Sequence, residues 1–189
     1  MELFARQGYD TTTLDQVAAK VGVSSADVTE HFVTTEAVLM SIVGDMARGT
    51  AVELEAVPRG IDPERALLQA GTAALGAVVE GRGTTTLDRL LAMARAVTAT
   101  RNLQRKVSAA RKEVLVQPLA DWMGVDPDNR RLQRALTMWS AVTASAYVGA
   151  LGMPDPYEPE RDGELRQRMI TGVLQSFSDV MGVDPQQPE

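Results

Sequence analysis

The chain has no cysteine, which removes a disulfide framework, a thiolate nucleophile and thiolate metal ligands together. His31 is the one histidine in 189 residues, so a histidine-based metal site is excluded as well. No apolar run approaches the ~20 residues of a membrane span, and the opening residues carry no basic-then-apolar leader. A cytoplasmic protein without a membrane partner is expected. Aromatic residues make up only 4% of the chain. The glycine-rich stretch Glu80-Gly-Arg-Gly-Thr-Thr-Thr86 lacks the Gly-Lys-Ser/Thr of a phosphate-binding loop, and no carboxylate pair is placed by spacing as acid and base. No catalytic residue, metal or cofactor is therefore assigned, and an enzyme is not expected.

Basic residues are scarce in one place. Residues 1–55 hold three (Arg6, Lys20, Arg48) against nine acidic ones, a net charge of −6. Residues 56–189 are balanced, so the whole chain's −6 originates in its first part. Within the balanced part, residues 82–112 carry eight basic side chains and one acid, Asp88, for a net +7. Arg101, Arg105 and Lys112 fall there on related turns. Three readings stay open for this stretch: a mouth for an anionic ligand, a clasp to the acidic first segment, or a solvated face of two helices.

What is present is helix. Apolar residues make up 44% of the chain, dominated by Ala, Leu and Val, and no segment alternates with period two for long. The punctuation predicts about nine helices, near 1–7, 13–21, 24–32, 35–56, 63–80, 85–99, 102–123, 127–151 and 163–181. Val38, Leu39, Ile42, Val43 and Met46 form one apolar stripe; Leu165, Met169, Ile170, Val173, Leu174, Phe177 and Met181 form another. Thr12-x-x-Asp15, Ser24-x-x-Asp27 and Thr85-x-x-Asp88 resemble capping boxes. Asp62-Pro63 and Asp126-Pro127 set a cap before a first-turn proline. Met-Gly-Val-Asp-Pro occurs at 123 and at 181 as a termination signal: glycine takes the left-handed stop, valine folds back and proline bars continuation. Pro118 is expected to kink its helix. Gly152–Asp162 reads as a loop and the residues after Gly182 as a polar tail.

The informative spacing is Ala18, Gly22 and Val28 within Leu14–Phe32. Two short helices that cross steeply need a small residue at their contact and a tight bend between them. Ala18 and Gly22 supply these, and Val17, Val23, Val28 and Phe32 hold the second helix against the first. This is a helix-turn-helix, the device that places a helix in the DNA major groove.

The wider segment, residues 2–40, resembles the N-terminal domain of the TetR (tetracycline-repressor-like) family of bacterial regulators. The residues that carry the resemblance are Leu3-Phe4, Gly8-Tyr9, Thr11 to Thr13, Val17-Ala18, Gly22-Val23-Ser24, His31-Phe32 and Thr34-Thr35-Glu36. It implies an all-α homodimer with a helix-turn-helix domain at 1–46, its first helix truncated. A ligand-binding and dimerisation domain follows at 47–181, and a flexible tail at 182–189. Leu90–Met153 also resembles the acyl-CoA-like ligand domains of actinobacterial members.

Three departures from the family pattern bear on DNA. The family usually carries about ten or more further residues, often basic, before the Leu-Phe pair. The reading helix here has Ala26, Asp27, Val28 and Glu30 where Arg, Lys or aromatics are common. The phosphate-contacting lysine at the start of the family's fourth helix is Thr35. The candidate DNA contacts are then Thr11, Thr12, Thr13, Lys20, Ser24, Ser25, Thr29, His31, Thr34 and Thr35. Three accounts of the acidic head stand side by side: a basic arm upstream of Met1, weak or assisted binding, or a fold retained with its target lost.

For a small apolar or amphipathic ligand, the candidate pocket residues are Met93, Val97, Trp122, Met138, Trp139 and Tyr147, which serve equally well as plain core. Ala135, Ala141, Ala144, Ala146, Gly149 and Ala150, with Val173 and Phe177, suit either internal packing or a dimer face. The two functional expectations are a ligand-controlled regulator, acting as a repressor, and a ligand-binding dimer of the same fold with weak or lost DNA binding.

Overall fold

The structure, a computed structural model, describes residues 12–22, 24, 35–99, 101–150 and 171–179. The described elements are α1 (Leu14–Val21), α2 (Thr35–Glu55), α3 (Pro63–Val79), α4 (Leu87–Ala99), α5 (Arg101–Met123), α6 (Arg130–Ala150) and α7 (171–179). The fold is all-α, with seven helical segments and no strand among the described residues. The helices expected near 1–7 and 24–32, the loop at Gly152–Asp162 and the tail lie outside the described residues.

Helix ends largely follow the expected chemistry, with three shifts of position. Asp62 stands before Pro63 at the start of α3, but its carboxylate makes no cap hydrogen bond and pairs with Arg131 instead. α1 is capped by Thr13 and Gln16, one residue on from the expected Thr12 and Asp15. The Gln16 backbone N–H donates to Thr13 Oγ1 at 3.3 Å, and the Thr13 N–H donates to Gln16 Oε1 at 3.0 Å. The longer glutamine reaches back to the cap, as the reciprocal box requires. α4 starts after Thr86, whose hydroxyl accepts the Arg89 N–H at 3.4 Å. Thr85, the expected cap, is buried with its hydroxyl unpartnered. α6 starts at Arg130 rather than 127, because Asn129 Oδ1 takes the Arg131 N–H at 2.9 Å and the Leu132 N–H at 3.3 Å. Asp126-Pro127 forms the preceding turn instead, with the Asp126 carbonyl accepting the Asn129 N–H at 3.0 Å.

The first Met-Gly-Val-Asp-Pro works as expected. Gly124 takes φ 67° and the Val125 N–H returns to the Ala120 carbonyl at 3.1 Å, closing the end of α5 in a Schellman arrangement. Val125 packs back onto the core. α5 runs continuously as helix through Pro118. In α6, Thr137, Ser140 and Thr143 donate their hydroxyls to carbonyls four residues back, at 2.8, 2.9 and 3.0 Å, so polar residues sit in this helix without unmet hydrogen bonds.

Two apolar clusters stack along the bundle. One joins Leu39, Ile42 and Val43 of early α2 to Leu75 and Val78 of late α3, to α4, and to Leu103 and Val107 of early α5. The other joins Leu54 of late α2 to Leu67 of early α3, Leu115 and Leu119 of late α5, Leu132 and Trp139 of α6, and Phe177 of α7. α2 and α5 are therefore parallel, and α3 runs against both. Val173 of α7 packs against both clusters. Each fully buried Leu contributes about 1.5–3 kcal/mol relative to an exposed one.

At the end of the bundle where Leu54, Leu67 and Leu119 pack, polar contacts tie the helix termini together. Arg59 donates to the last-turn carbonyls of α5, to Asp121 at 3.1 Å and to Trp122 at 2.6 Å. Trp122 Nε1 donates to the buried Val57 carbonyl at 3.1 Å. Arg131 pairs with Asp62, and Arg134 pairs with Glu64 at 3.0 Å.

Candidate nucleic-acid interface

α1 is short enough that its ends decide whether it forms, since an isolated helix of this length is marginal in water. Both ends are secured. The reciprocal cap closes the first turn. At the other end Gly22 takes φ 75° and its N–H donates to the Ala18 carbonyl. That left-handed conformation strains any side chain bearing a Cβ, which is why the chain leaves α1 at a glycine. Ala18 is 1% exposed, as expected of the small residue where two helices touch. Val28 lies outside the described residues.

The candidate contacts divide by placement. Thr12 is buried, while Thr13, Lys20 and Ser24 are exposed. Lys20 lies in the last turn of α1 and Thr13 uses its hydroxyl in the cap. Thr35 opens α2; its side chain, and all of Thr11, Ser25, Thr29, His31 and Thr34, lie outside the described residues.

The first turn of α2 carries an acid, Glu36, and a base reaches it from elsewhere in the chain. Lys106 Nζ on α5 donates to both carboxylate oxygens of Glu36, each at 2.7 Å. Both side chains are partly exposed. Of the three readings of the basic stretch 82–112, this contact is of the clasp kind at one point. The signal in the sequence was the opposite net charge of the two segments; the pairing of Glu36 with Lys106, 70 positions apart, was not legible. Elsewhere in the stretch, Arg82 pairs with Glu80, and the hydrogen bond and charge of that carboxylate raise the guanidinium's pKa above its ordinary value. Arg111 is buried, whereas Arg89, Arg105 and Lys112 are exposed.

The candidate pocket residues do not gather in one place. Trp122 and Trp139 are buried in the cluster at the far end, and Met93 and Val97 in the cluster near the start of α2. Met138 is half-buried. Tyr147 is on α6 with its side chain outside the description. The candidate dimer residues divide too: Ala135 and Phe177 are buried inside the protomer, Ala141 and Ala144 are exposed, and Val173 and Ala146 are half-buried.

A capped short helix ended by a left-handed glycine is the first half of a helix-turn-helix, and an all-helical body follows it. Residues 1–42 match the model of the family described as bacterial regulatory proteins, tetR family. The HTH-type transcriptional regulator TcmR of Streptomyces glaucescens is 35% identical over 81 residues, which cover 43% of this chain and 36% of that protein's length. The match thus spans about a third of the curated relative. The TetR-family regulator PfmR of Thermus thermophilus superposes with a TM-score of 0.48 at 20% identity, covering 92% of this chain and 93% of that one. A TetR-family regulator of Mesorhizobium loti gives a TM-score of 0.44 at 18% identity, covering 95% and 91%. Over residues 1–42 the chain is thus similar to the TetR family.

Proposed function

We propose that the chain is a dimeric, DNA-binding transcriptional regulator, a repressor, controlled by a small apolar or amphipathic ligand. In this reading residues 1–46 form the reading head, 47–181 the ligand-binding and dimerisation domain, and 182–189 a tail. The observation that carries it is the helix-turn-helix frame of α1, capped by Thr13 and bent at Gly22 over a buried Ala18, within the segment that matches the family. α2 supplies the transmission. It starts two residues after the reading segment and packs along α5 and α3 through both apolar clusters. A ligand that favours one arrangement of those clusters shifts the start of α2, and with it the spacing of two heads on two half-sites. The junction of the clusters, which Val173 spans, is where such a ligand would act on both.

The direct test is a gel shift of the purified chain against the DNA upstream of its own gene, at about 50 and about 200 mM salt. A retarded band is expected at the lower salt, and its weakening at the higher salt reports how many phosphate contacts the chain makes. Quenching of Trp122 and Trp139 emission by a panel of fatty acids and CoA thioesters reports the ligand.

A second reading, a ligand-binding dimer with little DNA affinity, is favoured by one observation: the net −6 of residues 1–55. The absence of any shift, together with ligand-dependent quenching, selects it.

A further inference from the structure

We propose that the first two turns of α5, with the start of α4, form a cationic shoulder beside the reading head, and that Arg105 and Arg89 on it contact the phosphate backbone of bound duplex DNA. The proposal rests on the DNA-binding reading above and extends it to residues outside the helix-turn-helix.

Three observations carry it. The first is place. Lys106 holds Glu36 through two 2.7 Å contacts, so the second turn of α5 lies against the first turn of α2. Thr35 follows Phe32 by three positions, and that length of chain spans at most about 11 Å however it is arranged. The shoulder is therefore next to the segment that would enter the groove.

The second is free charge. Lys106 cancels Glu36, so the start of α2 no longer presents net negative charge to a phosphate. One residue earlier, Arg105 is exposed and makes no ion pair with any described residue. Arg89 is exposed on the first turn of α4, beside Leu90 and Leu91, which pack in the same cluster as Leu103 and Val107.

The third is need. Affinity for duplex DNA comes largely from Lys and Arg displacing counterions. Residues 1–55 hold three basic side chains and residues 82–112 hold eight. The side chains able to meet phosphates are thus on the body rather than on the head, and a guanidinium takes a phosphate in two parallel hydrogen bonds.

The test uses the full-length chain and two duplexes, one from the region upstream of its gene and one of arbitrary sequence. Binding is followed by fluorescence anisotropy across a salt series. Each lost phosphate contact makes the slope of log K against log salt shallower by about one. Arg105→Gln and Arg89→Gln are expected to flatten that slope by about one per DNA-contacting copy and to weaken binding to both duplexes alike. Arg105→Lys should keep the slope. Arg130→Gln, an exposed arginine at the opposite end of the bundle, should change nothing.

An unaltered slope in both glutamine variants of a chain that does bind DNA overturns the shoulder and leaves the regulator reading standing. An equal loss in Arg130→Gln overturns it too, since the effect is then one of overall charge. A lower melting temperature in Arg105→Gln with an unchanged slope overturns the shoulder as well, assigning Arg105 to stability alone. If the unsubstituted chain binds neither duplex at low salt, the regulator reading fails, and the shoulder fails with it.

Discussion

Gly71 and Trp139 show how much a single hydrogen atom matters inside this bundle. A methyl group at Gly71 on α3 would overlap ring carbons Cζ2 and Cη2 of Trp139 on α6. Replacing a mid-helix glycine with alanine ordinarily gains about 1 kcal/mol in helix propensity. Overpacking a filled core costs about 1–3 kcal/mol, and the overlap here is with a ring buried among neighbours that cannot move freely. Gly71→Ala is expected to be net destabilising, by up to about 2 kcal/mol after that gain is subtracted. Thermal denaturation followed by tryptophan emission measures it, and a raised melting temperature would mean that the two helices stand further apart. At the same scale, Thr13 and Gln16 explain why the cap was predicted one residue early. The letters Thr-Thr-Thr permit three registers, and only the reach of the third-position side chain separates them.

Among elements, α5 depends on its termination. Gly124 at φ 67° lets the Val125 N–H return to Ala120. A side chain in the left-handed region costs about 1–2 kcal/mol, offset by about 0.4–1 kcal/mol through a less free unfolded chain. Gly124→Ala is therefore expected to lower stability by about 1 kcal/mol, read as a shifted urea midpoint with an unchanged slope. The end of α5 is also held by Arg59 and by the Trp122-to-Val57 hydrogen bond, so frayed carbonyls there would loosen the turn that leads into α3. Helix spans were largely legible from apolar stripes and punctuation. The start of α6 was not, because Asp126-Pro127 and Asn129 both signal a cap. Asn129 prevails by taking two backbone amides at once.

For the whole molecule, the exposed side of α6 is the face to test for self-association. Ala141 and Ala144 face outward one turn apart, and the dimer proposed above needs a face on which two copies meet. Ala141→Arg is expected to weaken self-association at least about tenfold, equivalent to about 1.4 kcal/mol, while leaving the helical content of the protomer intact. Sedimentation at several concentrations measures it; an unchanged dimer would move the interface off this face. Charge behaves as a property of this scale as well. The acidic first segment and the basic stretch 82–112 meet at Glu36 and Lys106, which stand 70 positions apart in the chain.

The amino-acid sequence by itself determined the helical class, most helix spans and the bend at Gly22. Those follow from local chemistry: side-chain period, capping oxygens, and glycine's tolerance of positive φ. It also carried the family's motif within residues 2–40. Only the tertiary structure decided which apolar residues share a cluster. It separated Met93 and Val97 from Trp122 and Trp139, sent Ala135 and Phe177 inward, and left Ala141 outside. It alone joined Lys106 to Glu36. The reason is that helix propensity acts over a few neighbouring residues, whereas partner choice between helices depends on the packing of the whole bundle, which no window of sequence contains.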